Sequence, residues 1–360
     1  MNESLITDPR PLEVFKEKSF SDFKKKDVYA ALLKSIETRK IENACYWLTE
    51  CLVSGYTLDI IDKLLLFHSK VIHINSPNLP LYLNRKYVTF LKSIDHLTKK
   101  DKHKHIHFRN TQTIRNYCFD LVVILCLSLK NKRYDKYPKI NPETDFQFTT
   151  IKDKMNATMQ VLPSSIIRFT DPEELRIILN ELFFNLKNEL GGYDKSCYWI
   201  AWILQWEKKT KKDKKCFEIE DRKIQYVHPK YCKDVIWIIW EVILEETKLR
   251  SNTIQNQIFS LYSLFKINFT SGKKTARLPY LYHSIGYLTL PIQFKTPIIN
   301  DADYHLLLQS GCNCHKMFKN KKEKEVKEYH PPPPTKKQVD ISVEISGDKM
   351  NVFQEIDMHN

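Results

Sequence analysis

"DVYAALLKSIETRKIENACYWLTECLVSGY", Asp27 to Tyr56, is the stretch on which the fold turns. Its apolar residues return every three or four positions. Val28, Ala31, Leu32 and Ser35/Ile36 make one stripe, and Ala44, Trp47/Leu48 and Cys51/Leu52 make a second. That period belongs to an α-helix with one buried face. Gly55 then closes the second run, because glycine enters left-handed backbone without a Cβ clash. The stretch predicts two successive helices. "TLDIIDKLLLFHSKVIHI" predicts a third helix behind it, with Thr57 as N-cap and Asp59 in the first turn.

The triplet Cys45-Tyr46-Trp47 returns as Cys197-Tyr198-Trp199 in "DKSCYWIAWI". A reactive cysteine needs a base, and no histidine lies at helical spacing from Cys45 or Cys197. Both copies therefore read as core, with Trp47 and Trp199 as the large anchors. The likeness is wider than the triplet. "LDIIDKLLL" pairs with "KDVIWIIWE", and "TIRNYCFDLVVI" with "TIQNQIFSLYSL", in the same order. A duplicated helical module fits this pattern, and so does chance similarity between apolar helices.

The predicted class is all-α: two related helical modules, an extended proline- and aromatic-rich segment, and a disordered tail. The divisions are a flexible arm (1–26), module 1 (27–132), a linker (133–170), module 2 (171–268), an extended wrap with a short strand pair (269–318), and a basic, proline-closed linker with an acidic tail (319–360). Only 7 glycines among 360 residues disfavour glycine-rich phosphate loops and turn-rich β folds.

The net charge is +14, and eleven arginines stand among 57 basic residues. The last 22 residues carry a net −4, so the remainder carries about +18. Such a balance suits a polyanion partner, and it also suits simple solubility. Lysine is a point charge, which favours contact with a nucleic-acid backbone over base readout. The opening Met-Asn-Glu-Ser has no apolar signal core, and no run approaches 18 apolar residues. An intracellular protein with reduced thiols and no membrane partner is expected.

Few residues suggest chemistry. "INFTSGKKT" has Gly272 and Lys273, but Lys274 stands where a P-loop has its magnesium-binding hydroxyl and Ile267 where it has its first glycine. Cys312, Cys314 and His315 in "CNCH" are the candidate metal ligands, for zinc, although the spacing is tighter than usual and no second pair is evident. The candidate nucleic-acid contacts are two lysine-rich loops. One holds Lys99, Lys100, Lys102 and Lys104, beside His103, His105 and His107. The other holds Lys208, Lys209, Lys211, Lys212, Lys214 and Lys215. No other cofactor is expected, and no catalytic residue is assigned.

The run "YAALLKSIETRKIENACYWLTECLVSGYTLDIIDKLLL" resembles the helical domain behind the ATPase core of MgsA/RarA-type AAA+ proteins, relatives of the replication clamp loader. Ala31-Leu32-x-Lys34-Ser35-Ile36, Asn43-Ala44-x-Tyr46-Trp47-Leu48, Gly55 and Ile60/Ile61 match in order. The family's Ser-Glu-Asp in the third helix is replaced by His68-Ser69-Lys70, and the ATPase module is absent. The resemblance implies a helical collar used for self-association or for binding replication proteins, without ATP hydrolysis. The lysine-, isoleucine- and asparagine-rich composition is similar to proteins of large DNA viruses. The expected function is a non-enzymatic replication or genome-maintenance accessory protein. The alternative is a viral structural or scaffolding protein, and a zinc enzyme comes last.

Overall fold

In the computed structural model, residues 3–98, 108–131, 138–188, 191–213 and 217–330 are described. All regular elements among them are helical. Helix α1 (Lys25–Glu37) buries Val28, Leu32, Ser35 and Ile36, as its period requires. It turns at Arg39 into α2 (Ile41–Val53), which buries Cys45 together with Ala44, Leu48 and Cys51. Gly55, at φ 75°, ends α2. Tyr56 N–H donates to Cys51 O (2.9 Å) and Gly55 N–H to Leu52 O (3.1 Å), the paired bonds of a Schellman stop. Then follow α3 (Thr57–Phe67), α4 (Leu79–Thr98) and α5 (Gln112–Leu127).

After the short α6 (Phe148–Lys154), the second series is α7 (Leu175–Leu186), α8 (Gly192–Lys212), α9 (Ile236–Thr247), α10 (Asn252–Lys266) and α11 (Lys274–Thr289). The packing order repeats. α1 and α2 form a hairpin, and α5 packs on α1, α2, α3 and α4; α7 and α8 form a hairpin, and α11 packs on α7, α8, α9 and α10. α4 and α10 pack against each other. By packing, the partner of α5 is thus α11, not the "TIQNQIFSLYSL" helix that the wording suggests.

Three expectations change here. The segment 269–318 is not an extended wrap: it contains α11, α12 (Tyr304–Leu308) and most of α13 (Ser310–Lys322), which runs on into the segment 319–360 expected to be disordered and buries Lys321 there. Every residue of α11 from Arg277 to Thr289 is buried. A helix with no solvent face has no amphipathic period to read, and Pro279 inside it imitates a break. The arm is not loose either. Ile6, Phe15 and Phe20 are buried, and Arg115 donates to Ser4 O (3.0 Å) and Arg109 to Asp8 O (2.8 Å). In the linker, buried Glu181 accepts from the backbone N–H of Asn156 and Ala157, both at 2.9 Å, and Asn180 accepts from those of Val161 and Leu162. Residues 331–360, with the tetraproline and the acidic tail, lie outside the described residues.

The two tryptophans of the repeated triplet are not equivalent. Trp199 is 1% exposed. Trp47 is half-buried, edge-on to Phe23 at 5.3 Å. Trp199→Ala should cost about 3–5 kcal/mol, whereas Trp47→Ala should cost roughly half as much, because less of its surface leaves water. Urea denaturation of both variants checks this; equal losses would contradict the difference in burial.

Candidate functional site

The structure scatters the proposed zinc ligands. Cys312, Cys314 and His315 lie on α13, where residues two apart point to opposite sides. Cys314 faces the core and is fully buried; Cys312 and His315 are exposed. Among the described residues no group of three His, Cys, Asp or Glu side chains is placed to hold a metal ion. The zinc assignment therefore loses its geometry. The buried thiols are also unsuited to attack: burial pushes Cys45 and Cys126 up to about 12 and Cys118 higher still.

Of the lysine candidates, Lys99, Lys100, Lys102, Lys104, Lys214 and Lys215 lie outside the described residues, as do His103, His105 and His107. Lys208, Lys209, Lys211 and Lys212 are not in a loop. They continue α8 to its end, where cations suit the negative pole of the helix dipole. Lys211 pairs with the buried carboxylate of Glu207 at 2.8 Å. Lys209 lies over the rings of Phe146 (5.2 Å) and Trp206 (5.9 Å). Lys208 and Lys212 point to solvent and make no ion pair among the described residues. The near-P-loop lysines serve elsewhere too. Lys273 pairs with Asp62 (3.6 Å), and Lys274 sits between Glu207 (2.5 Å) and Asp234 (2.9 Å).

One buried polar cluster was not anticipated. Helix α3 runs into a π turn, His68–Ile72, and then a 3-10 turn, His73–Asn75. These turns pack on α11. His68, Ser69, His73 and His283 are all fully buried there. His73, at φ 52°, stacks on His283 at 4.5 Å, and His283 stacks on Tyr287 at 5.0 Å. Gly286 makes room: a Cβ there would lie 2.9 Å from His73 Cε1. The only sequence signal was negative, since His68-Ser69 marked a departure from the family pattern.

Hydrogen bonding sets the tautomers of this cluster. His68 Nδ1 faces Leu65 O, so it must donate. His68 Nε2 is then an acceptor for Ser69 Oγ–H (3.2 Å), and Ser69 Oγ accepts from His283 Nδ1–H (3.1 Å). This one-way chain requires a neutral His68, whose Nε2 must accept. Ring nitrogens bind a metal in the ring plane, so stacked rings cannot aim at one ion. Desolvation lowers His68 to about 4 and His73 to about 3, and it holds His283 well below the ordinary imidazole value; repulsion between the rings adds to the shift in His73 and His283.

Comparison with family models, with curated proteins and with solved structures gives no match. Among the described residues no helix is long and apolar enough to cross a membrane.

The buried histidines should make the fold acid-labile. Their folded-state values lie below the unfolded value of about 6.5, so below that pH the unfolded chain binds more protons. Stability is complete above pH 6.5 and should fall by about 1.4 kcal/mol per pH unit for each histidine, until the folded-state values are reached. His283→Phe should remove about one proton from that slope between pH 6.5 and 5. An unchanged slope in urea titrations over this range would rule the mechanism out.

Proposed function

We propose that this chain is a non-enzymatic accessory protein of nucleic-acid replication or maintenance, assembling through its helical body and holding nucleic acid by the backbone. The observation that carries this reading is the division of charge between interior and surface. The buried cations are Arg109, Arg115, Arg222, Arg277 and Lys321. Among the described residues the buried carboxylates are more numerous: Asp8, Glu50, Asp171, Glu181, Glu207, Asp234 and Glu246. Arginine's rigid fork is used inside, where it binds carboxylates and carbonyls. Apart from Lys321 and the clamped Lys274, most lysines are left outside, with part of their counter-charge withdrawn.

A lysine surface of this kind attracts phosphates without reading bases. The end of α8 is its best-defined part. Lys208 and Lys212 stand on a rigid helix supported by the stacked Trp202 and Trp206 (5.2 Å). The MgsA/RarA-like wording of α1 to α3 supports a collar role for the first helices. Their apolar faces are used in the fold, so assembly would use an outer surface.

Fluorescence anisotropy with labelled oligonucleotides checks the reading. The affinity should fall linearly with salt on logarithmic axes, by about 0.7 to 0.9 per phosphate contacted. Lys208→Ala with Lys212→Ala should weaken binding to all sequences alike and lower the slope by about one per lysine. Salt-insensitive binding, or none, would remove this reading and leave the scaffolding alternative.

A further inference from the structure

Two aromatic rings stand in water without serving the fold. Phe169 is 100% exposed and Tyr226 is 86% exposed. A ring that buries nothing adds no folding stability. The backbone beneath them is nonetheless held firmly. Arg222 is fully buried and joins the two loops: it pairs with buried Asp171 (2.7 Å), donates to Ile166 O (3.0 Å) and bonds Glu241 on α9 (2.7 Å). Arg168, next to Phe169, donates to Asp221 O (2.9 Å), and Thr170 Oγ1 donates to Glu220 (3.2 Å). Lys223 and Tyr226 sit at φ 48° and 67°, left-handed backbone that bulky side chains avoid. A mobile loop would relax out of that conformation; this one is tied on both sides.

Charges of both signs flank the rings, and several of the acids are already engaged: Glu173 pairs with Arg176, Glu218 with Lys233, and Asp221 Oδ1 accepts from Lys223 N–H. The carboxylates of Asp171, Glu220 and Glu241 are engaged by Arg222 and Arg168. Lys223 and Lys230 are exposed and make no ion pair among the described residues. The loop is rooted beside the lysine end of α8, because Lys274 bridges Glu207 on that helix (2.5 Å) and Asp234 at the far end of the loop (2.9 Å). Upright rings beside unpaired lysines suit unstacked bases joined by phosphates, since every base offers a π face.

We propose that Phe169 and Tyr226 form a base-stacking platform for single-stranded nucleic acid, with Lys223 and Lys230 on the phosphates. This rests on the nucleic-acid reading above and supplies its strand form and its contact residues. The rings would stack on bases at the loop tips while the lysines of α8 hold the flanking backbone.

Anisotropy of the full chain with a labelled oligothymidylate, and with a duplex of equal length, tests the proposal. Phe169→Ala and Tyr226→Ala should each weaken single-strand binding about 5- to 100-fold. Duplex binding and the salt slope should be unchanged. Tyr226→Trp should restore single-strand affinity. Because neither ring is buried, both alanine variants should melt with the parent protein, which separates lost binding from lost folding. If the alanine variants bind like the parent while the Lys208/Lys212 variant is weakened, the platform is wrong and the nucleic-acid reading survives. If the parent protein binds neither strand form, both fall. A change in self-association in sedimentation velocity, with oligonucleotide binding unchanged, would overturn the platform in favour of a protein contact.

Discussion

The rest of the structure depends on how the N-terminal end of α11 is neutralised. Lys273, Lys274 and Arg277 stand in and just before its first turn, where the helix dipole is itself positive. Alone, that arrangement is unfavourable. Asp62 of α3 takes Arg277 at 2.7 Å and Lys273 at 3.6 Å; Glu207 of α8 and Asp234 before α9 take Lys274. Arg277 also donates to Phe265 O at 2.6 Å. Acids from both helical series must be in place before α11 can be buried along its length. A buried ion pair adds little net stability, but a missing partner is costly, so the clamp fixes position more than it adds energy.

Burial of α11 in turn creates the histidine seam. His283 and Gly286 are on it, and they meet the π turn only because α11 lies against α3. The chain of neutral imidazoles follows from that placement, since a histidine without solvent or a carboxylate partner loses its proton. The same withdrawal of acids into clamps leaves a lysine-dominated exterior. The interior ion pairs and the surface chemistry are therefore two sides of one partition of charge.

Sequence reading succeeded where a helix has one wet face and one dry face. Val28, Leu32 and Ile36 in α1, and Ala44, Leu48 and Cys51 in α2, carry their burial in their spacing, and Gly55 marks its stop by its own backbone preference. The reading failed at α11, where Tyr280, His283, Ser284 and Gly286 are all buried and no period survives. It also failed where the environment rather than the spacing decides. Trp47 and Trp199 share a triplet, yet only Trp199 is enclosed. Cys314 and Cys312 share a motif, yet the helix turns them apart.

The sequence by itself determined the all-helical class, the helical runs of both series, the charge excess and the absence of a P-loop, because these are local or compositional properties. Tertiary structure alone decided which carboxylates neutralise Lys274 and Arg277, which histidines lose water, and which aromatics are left in it. Those outcomes join residues more than 200 positions apart, such as Ser69 with His283 and Asp62 with Arg277. Desolvation and Coulomb energy depend on distance in space, and no spacing along the chain encodes that.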